Sequence, residues 1–137
     1  LAPYVILHGR QAGQMLDLLF ELCDFGIGSL GRHRSGITNI KTLKNREYAA
    51  RGIPFIYSEI DEDFENMPYI MKIPANEEAV DIKQILNFYN QLHITPLEIR
   101  NSIRHLSWNN QMKKVLDEMQ KKDKINPNNN NIANFAT

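Results

Sequence analysis

The sequence has 137 residues, and its 16 lysine and arginine residues balance 16 aspartate and glutamate residues, so the formal net charge is zero. A chain of this length forms one domain and can bury roughly two-thirds of its unfolded surface. Zero net charge argues against nucleic-acid binding, which usually needs a strongly basic surface. The single cysteine, Cys23, excludes an intrachain disulfide and favours a cytoplasmic setting. We recognise neither a membrane span nor a signal peptide.

Strand-like and helix-like segments alternate along the first part of the chain. Residues 4–7 are predicted to form a short buried strand. Residues 14–23 follow as a helix whose leucines recur at helical spacing, so we expect it to be well covered. Residues 24–29 form the next predicted strand, with small glycines between its apolar side chains. A basic loop, residues 30–38, comes after this strand.

The centre of the chain is predicted to be a helix that stops at a glycine and leads directly into a strand. The helix begins at about residue 44, and Gly52 suits the left-handed position just after its end. Residues 54–57 form the strand, with proline tolerated as its first residue. Glu47 and Arg51 lie four residues apart and share a polar helix face. That polar stripe also fits an ordinary solvated face with weak ion pairs.

The later elements are a surface turn, one more strand and three helices. Residues 61–65 form an acidic turn that we expect to be solvated, and residues 69–73 form a strand. Asn76 is predicted to cap the following helix. Thr95, Pro96 and Glu98 form the threonine–proline–glutamate start of another helix, with a capping box. The last helix opens at Ser107 and Trp108.

This order predicts an α/β fold with a partial Rossmann-like parallel sheet of about four strands, flanked by helices and followed by C-terminal helices. The folded part is predicted to span residues 1–122. The asparagine-rich residues 123–137 are predicted to form a flexible tail. A sheet of so few strands has an exposed edge, which favours self-association or docking on a partner.

The basic loop is the strongest candidate for a binding site from the residues alone. It follows a strand and precedes a helix, so it lies at the carboxyl edge of a parallel sheet, where ligands bind. Arg32 and Arg34 offer charged donors for phosphate oxygens. Residues 39–42 supply the free amides of a helix start, and Glu47 can accept hydrogen bonds from a ribose. These groups could hold a nucleoside diphosphate, but a mobile surface loop with solvated arginines fits the residues equally well.

Other motifs carry less information. Residues 26–31 match the dinucleotide fingerprint G-x-G-x-x-G, but no helix opens directly after them, so a small dinucleotide-binding domain is only a third interpretation. The four histidines show no metal-ligand spacing, and we predict no metal site. They are His8, His33, His93 and His105.

A family resemblance rests on one central segment, which reads Lys44-x-x-Glu47-Tyr48-x-Ala50-x-Gly52-x-Pro54. It resembles the K-x-x-E-Y-x-A-x-G-x-P signature of nucleotide-sugar glycosyltransferases with the GT-B fold, in their retaining group 1, or family 4-like, branch. Residues 5–9, 16–29 and 106–108 resemble the flanking parts of the same region. The resemblance covers roughly residues 4–122 and implies the C-terminal part of the donor-binding domain.

The resemblance implies transfer of a sugar from a nucleotide-diphosphate donor to a glycan or lipid-linked acceptor, in polysaccharide biosynthesis and without a metal cofactor. Glu47 would bind the donor ribose, residues 29–42 the diphosphate, and Lys44 a phosphate or the donor sugar. Catalytic residues are not identified. The complete predicted donor site is Ser29, Arg32, Arg34, Asn39, Lys41, Thr42, Lys44 and Glu47.

Two features depart from the family pattern. Asn39, eight residues before Glu47, stands where the family's E-x7-E motif has a glutamate that contacts the donor sugar. The acceptor-binding domain and the opening of the donor domain have no counterpart in the sequence. We therefore expect a fragment that does not transfer sugar alone, placed in the cytoplasm or at the inner face of the membrane. The sequence does not specify the nucleotide, the sugar or the acceptor.

Overall fold

The structure is a computed structural model that describes residues 3–125, with side chains described as far as residue 122. It divides into two compact units, Leu1–Asn101 and Ser102–Thr137. Residues 126–137 of the predicted tail lie outside the described residues. The elements in chain order are α1 (Gly13–Glu21), β1 (Gly26–Ile27), a 3₁₀ helix (Arg32–Ser35), α2 (Leu43–Arg51), β2 (Phe55–Tyr57), β3 (Ile70–Lys72), α3 (Ile82–Asn90), α4 (Pro96–Ser102), a second 3₁₀ helix (Arg104–Leu106) and α5 (Trp108–Ile125).

The three strands form one parallel sheet in the order β1, β2, β3. Gly26 of β1 is in register with Phe55 of β2, which is in register with Ile70 of β3. α2 connects β1 to β2, as a parallel pair requires, because the chain must return to the same end of the sheet. The predicted α/β class is confirmed, and the sheet with its helices is consistent with a partial Rossmann-like fold.

The prediction of a strand over residues 4–7 is wrong. These residues adopt turn and irregular backbone, and the side chains of Ile6 and Leu7 are largely exposed. An apolar run becomes a strand only when a neighbour accepts and donates its backbone hydrogen bonds. Within the described residues β1 pairs only with β2, so the sheet has three strands rather than about four. Ile27 at the β1 edge is half exposed.

The core of the first unit is built around Phe55. The three residues of β2 are fully buried. The Phe55 ring lies 5.6 Å from that of Tyr48, 5.4 Å from that of Phe64 and 6.3 Å from that of Tyr69, measured between ring centroids. Ala49 of α2 has no exposed surface, so its small side chain lets the helix lie close to the sheet.

Both ends of α2 are determined by local sequence. The Thr42 hydroxyl accepts the Asn45 N–H at 3.4 Å and caps the first turn. At the other end Gly52 has a φ of 76°, in the left-handed region. The Gly52 N–H donates to Ala49 and the Ile53 N–H to Tyr48, which is the Schellman arrangement. The predicted glycine stop is confirmed.

The expectation that the first helix is well covered is wrong. α1 has no buried residue, and Met15 and Leu18 are half exposed. Phe20 packs edge-on against Tyr48 of α2, with ring centroids 6.1 Å apart. Periodicity predicts a helix and its apolar face, but it does not show whether the chain also contains a surface to cover that face.

The starts of the later helices confirm one prediction and correct another. In α4, the Thr95 N–H donates to Glu98 Oε2 at 2.8 Å, and the Glu98 N–H donates back to Thr95 Oγ1, so the capping box is confirmed. Asn76 does not cap α3, because its side chain accepts the Glu78 N–H inside a turn. Asp81 is the cap and accepts two first-turn N–H groups.

The second unit contains the second 3₁₀ helix and α5. Ser107 Oγ accepts the Asn110 N–H at 3.4 Å, so the predicted opening of the last helix is confirmed. The apolar side chains of α5 are exposed among the described residues, as follows: Trp108, Met112, Val115, Leu116 and Met119.

We expect Gly52→Ala to lower the free energy of unfolding by about 2–4 kcal/mol, of which about 1 reflects the left-handed backbone and the rest overpacking. A Cβ at this position would lie 2.6 Å from both the Cβ and the carbonyl oxygen of Pro96. Gly36 has a similar φ of 67° with open space around it. Gly36→Ala should therefore lower the free energy of unfolding, measured by urea denaturation, by only about 1 kcal/mol. Equal losses for the two variants would contradict the close approach of Pro96.

Candidate functional site

The carboxyl ends of the three strands define one edge of the sheet, and most of the predicted site residues lie there. The chain leaves β1 and runs through the basic loop, and it returns to the sheet edge before α2. There it pairs with Ile60, which lies three residues after the end of β2. The Ile40 N–H donates to the Ile60 carbonyl and the Ile60 N–H donates to the Thr38 carbonyl, both at 2.8 Å. The start of α2 is therefore held beside the carboxyl edge.

The beginning of the basic loop is bound to the residues that follow β2. Both the N–H and the hydroxyl of Ser58 donate to the Ser29 carbonyl, at 3.1 and 3.2 Å. The Arg32 N–H donates to Glu59 Oε1 at 2.8 Å. Arg32 to Ser35 form the first 3₁₀ helix, which ends at Gly36. These contacts give the loop a defined conformation over the carboxyl edge.

The far side of the basic loop is neutralised by Glu77. Arg34 binds this carboxylate in a bidentate manner, with Nε 2.8 Å from Oε1. His33 Nε2 lies 2.9 Å from the same oxygen. The hydrogen bonds from Arg34, followed by that from His33, lower the pKa of Glu77 to about 2. An anionic ligand that contacts Arg34 must therefore compete with Glu77.

The predicted donor-site residues nearest α2 differ in the contacts that their side chains already make. Lys41 pairs with Glu62 at 3.5 Å, and both side chains are exposed. Thr42 serves as the helix cap described above. Lys44 is exposed and has no ion pair among the described residues. Asn39 is also exposed, and its amide lies 3.4 Å from Thr38 Oγ1.

Glu47 lies on the face of α2 that is turned toward α1. Its Oε1 accepts Arg51 Nε at 2.6 Å, which confirms the predicted spacing of four residues. Arg51 also donates to Asp17 of α1 at 2.7 Å, and its guanidinium lies 4.2 Å from the Phe20 ring centroid. The structure therefore fixes Glu47 through Arg51. It does not join Glu47 by any direct contact to the basic loop.

The prediction of a solvated acidic turn is wrong for its first residue. Asp61 has no exposed surface. It accepts Asn45 Nδ2 at 3.0 Å, Arg46 Nη1 at 3.1 Å and Arg46 Nη2 at 3.2 Å, and Arg46 also contacts Asp63. This network ties α2 to the connection between β2 and β3. Because its members lie 15 to 17 residues apart in sequence, no local motif predicts it.

A second polar network lies beside the first. Glu65 Oε1 accepts the Tyr57 hydroxyl at 2.8 Å, the Asp61 N–H at 3.1 Å and Lys72 Nζ at 2.9 Å. Burial first, and then the hydrogen bond to Glu65, raise the pKa of Tyr57. Lys72 also donates to the Glu59 carbonyl and lies over the Tyr57 ring. The network holds the ends of β2 and β3 together.

Glu59 is a site residue that the sequence analysis did not identify. It is 3% exposed. Its Oε1 accepts the Arg32 N–H, whereas its Oε2 is a buried atom with no hydrogen-bond partner. The sequence does indicate Glu59 as a candidate, since this residue follows a fully buried strand at the sheet edge where ligands bind. The other two unpartnered buried side-chain atoms in the described chain are His33 Nδ1 and Asn45 Oδ1.

One cavity of the first unit lies away from this edge. It has a volume of about 770 Å³ and is lined by residues that precede β1 and β2 and by the start of α4, including Asp24, Gly52, Pro54 and Pro96. This is the amino edge of the sheet, and none of the predicted donor-site residues lines it. Parallel sheets bind ligands at the opposite edge, so the cavity is not our candidate site.

The fingerprint-like match over residues 26–31 does not have the required structure. Gly26 and Ile27 form β1 itself, and the next element is the 3₁₀ helix rather than an α-helix. A dinucleotide fingerprint needs a helix that starts directly after the glycines.

Comparisons with protein-family models, with curated proteins and with solved structures found no match to this chain. Among the residues that the structure describes, no group of three or more histidine, cysteine, aspartate or glutamate side chains could hold a metal ion. None of the described helices has the length and apolar character that crossing a bilayer requires.

We expect an NMR titration to give a pKa of about 2 for the Glu77 carboxyl group, and Arg34→Gln should raise it toward the ordinary value of about 4.3. The folded-state pKa lies below that of the unfolded chain. The contact therefore stabilises the fold above the ordinary pKa, and this stabilisation is lost as the pH falls toward about 2. Lys41→Gln is the control, because Lys41 contacts Glu62 instead. An ordinary pKa for Glu77 in the unaltered chain would contradict the contact.

Proposed function

We propose that this chain is the donor-binding part of a nucleotide-sugar glycosyltransferase with the GT-B fold. One juxtaposition carries the proposal. The segment that resembles the family signature, residues 44–54, forms α2 and leads into β2, and the basic loop runs into the start of the same helix. The start of this segment and the basic loop therefore meet at the carboxyl edge of a parallel sheet, where nucleotide ligands bind.

The charges at this edge suit a diphosphate. Arg32, Arg34, Lys41 and Lys44 supply four cationic side chains, and the first turn of α2 adds amides that lack intrahelical partners. Two of these cations are paired with Glu62 and Glu77, whose side chains are 78% and 62% exposed. Exposed ion pairs are screened by solvent, and a diphosphate carries more negative charge than either carboxylate, so it can compete with both acidic partners.

Glu47 is assigned to the ribose of the donor. It lies one turn into α2, and Arg51 holds its carboxylate through Oε1. A carboxylate fixed in this way can accept hydrogen bonds from ribose hydroxyl groups without first losing much side-chain entropy. Ser29 and Thr42 border the diphosphate in this arrangement, and the Asn39 amide faces the donor sugar in place of the family's glutamate.

The chemistry expected of these residues is stabilisation of negative charge on the leaving diphosphate. Such electrostatic stabilisation is often the largest contribution to catalysis, and arginine and lysine side chains provide it without a metal ion. The acceptor, a glycan or lipid-linked sugar, would bind to a separate N-terminal domain. We place the reaction in polysaccharide biosynthesis, in the cytoplasm or at the inner face of the membrane, and expect no turnover by this chain alone.

We expect calorimetry with UDP, GDP, ADP and dTDP to show that one of them binds and that Glu47→Ala weakens its binding by about tenfold or more, as loss of a charged hydrogen bond should. Asp17→Ala is the matched control. It removes the other carboxylate partner of Arg51. It therefore perturbs the ion pairing of the same arginine and keeps the carboxylate that is assigned to the ribose.

Two results would count against this function. Absence of binding by every nucleotide would contradict it directly. Equal weakening by Glu47→Ala and Asp17→Ala would show that Glu47 acts only by positioning Arg51.

A second function is favoured by the surface around β1. Ile27 at the sheet edge, the irregular residues 4–7 and the outer face of α1 are all exposed and apolar. A non-catalytic module that self-associates through this edge would cover them. A tight dimer that binds no nucleotide would support this alternative.

A further inference from the structure

The buried carboxylate of Glu59 is the least satisfied charged side chain in the described part of the chain. It is 3% exposed and follows directly after β2 and Ser58, at the edge where the donor is proposed to bind. One oxygen accepts the Arg32 N–H, and the other has no partner. A buried acceptor left without a hydrogen bond costs about 1–3 kcal/mol, and more when the group is charged. The position therefore calls for a donor that the described chain does not itself supply.

The chemistry of the missing partner is limited by what surrounds the carboxylate. Lys72 donates to the Glu59 backbone carbonyl and to Glu65, so its ammonium group is already engaged beside the site. The bridging diphosphate of a sugar nucleotide has only acceptor oxygens at neutral pH and would be repelled by the carboxylate. No cluster of metal-ligating side chains lies among the described residues. A hydroxyl group donates a hydrogen bond and carries no charge, so it fits.

We propose that Glu59 accepts a hydrogen bond from a hydroxyl of the donor's glycosyl group and thereby helps to select the sugar. This inference rests on the proposed function, in which the basic loop binds the adjacent diphosphate. The sugar is attached to that diphosphate, and Arg32 belongs to the diphosphate site while its own N–H holds Glu59. Arg32 and Glu59 are therefore neighbours in the site, as the diphosphate and the sugar are neighbours in the ligand.

Access to Glu59 requires a small movement of the basic loop. Oε2 is a buried atom, so a hydroxyl reaches it only when a neighbouring segment moves, and the first 3₁₀ helix is adjacent because the Arg32 N–H contacts Oε1. One contact that restrains this helix is the solvent-exposed pair of Arg34 with Glu77. A diphosphate that takes Arg34 from Glu77 would remove this restraint and so favour the movement that uncovers the carboxylate.

The test is calorimetry with the whole chain, in which each nucleoside diphosphate is compared with its sugar nucleotides, such as UDP with UDP-glucose and GDP with GDP-mannose. We expect at least one sugar nucleotide to bind about tenfold tighter than its diphosphate. Glu59→Gln should reduce this ratio by about tenfold and leave the affinity for the diphosphate unchanged. The change is isosteric: the amide oxygen can still accept the Arg32 N–H, while the amide nitrogen replaces the unpartnered oxygen with a donor.

Glu62→Gln makes the same chemical change at an exposed position three residues away and should leave the ratio unaltered. Should Glu59→Gln fail to fold, the unaltered chain can be tested with deoxy sugar nucleotides that each lack one hydroxyl. One of these should lose the tenfold advantage.

The outcomes separate the two proposals. Absence of binding by any nucleoside diphosphate or sugar nucleotide overturns both. Binding of a diphosphate with no advantage from any sugar, or an advantage that neither Glu59→Gln nor any deoxy analogue reduces, overturns the role of Glu59 and leaves the proposed function standing.

Discussion

The hydrogen bonds that Asp61 accepts from Asn45 and Arg46 are the constraint on which the rest of the first unit depends. They join the first turn of α2 to the connection between β2 and β3, and Asp61 has no exposed surface. Removing one partner of a buried ion pair usually costs about 3–5 kcal/mol, because the remaining charge is left without compensation. Arg46 also contacts Thr42 O at 2.9 Å, so the same side chain fixes the residue that caps α2. The start of α2 cannot move away from the carboxyl edge without breaking this network.

The position of α2 in turn determines what the carboxyl edge can bind. The edge carries cations on the basic loop and at the start of α2, and carboxylates at Glu59 and Glu77. The exposed carboxylate, Glu77, pairs with side chains that a competing anion can reach. The buried one, Glu59, is 3% exposed and accepts the Arg32 N–H of the loop. An anion and a hydroxyl-bearing group bound side by side would match this arrangement of charge, and a sugar diphosphate contains both.

Local sequence predicted the parts of the fold that local interactions decide. Gly52 ends α2 because it is the residue type that adopts a positive φ without strain, and Thr95 with Glu98 starts α4 through contacts within four residues. The parallel arrangement of the sheet followed from the alternation of strands and helices. The basic loop was placed correctly at the carboxyl edge for the same reason, since topology alone assigns it there.

The features that sequence could not predict depend on distant partners. Residues 4–7 have the composition of a strand, but no neighbour in the described chain supplies the ladder that a strand needs. Asp61 lies in a run of acidic residues that is typical of a surface turn, yet Arg46, 15 residues away, makes its burial possible. The unpartnered oxygen of Glu59 is likewise visible only when the packing around it is known.

In the proposed function a nucleoside diphosphate binds at the carboxyl edge rather than in the cavity at the amino edge that Gly52, Pro54 and Pro96 line. Backbone amide chemical shifts, followed by NMR during titration with the nucleoside diphosphate that binds, test this claim most directly. The account predicts that the changes concentrate in residues 29–36, 41–47 and 58–60. Changes centred on Gly52, Ile53 and the start of α4, or no changes at all, would contradict it.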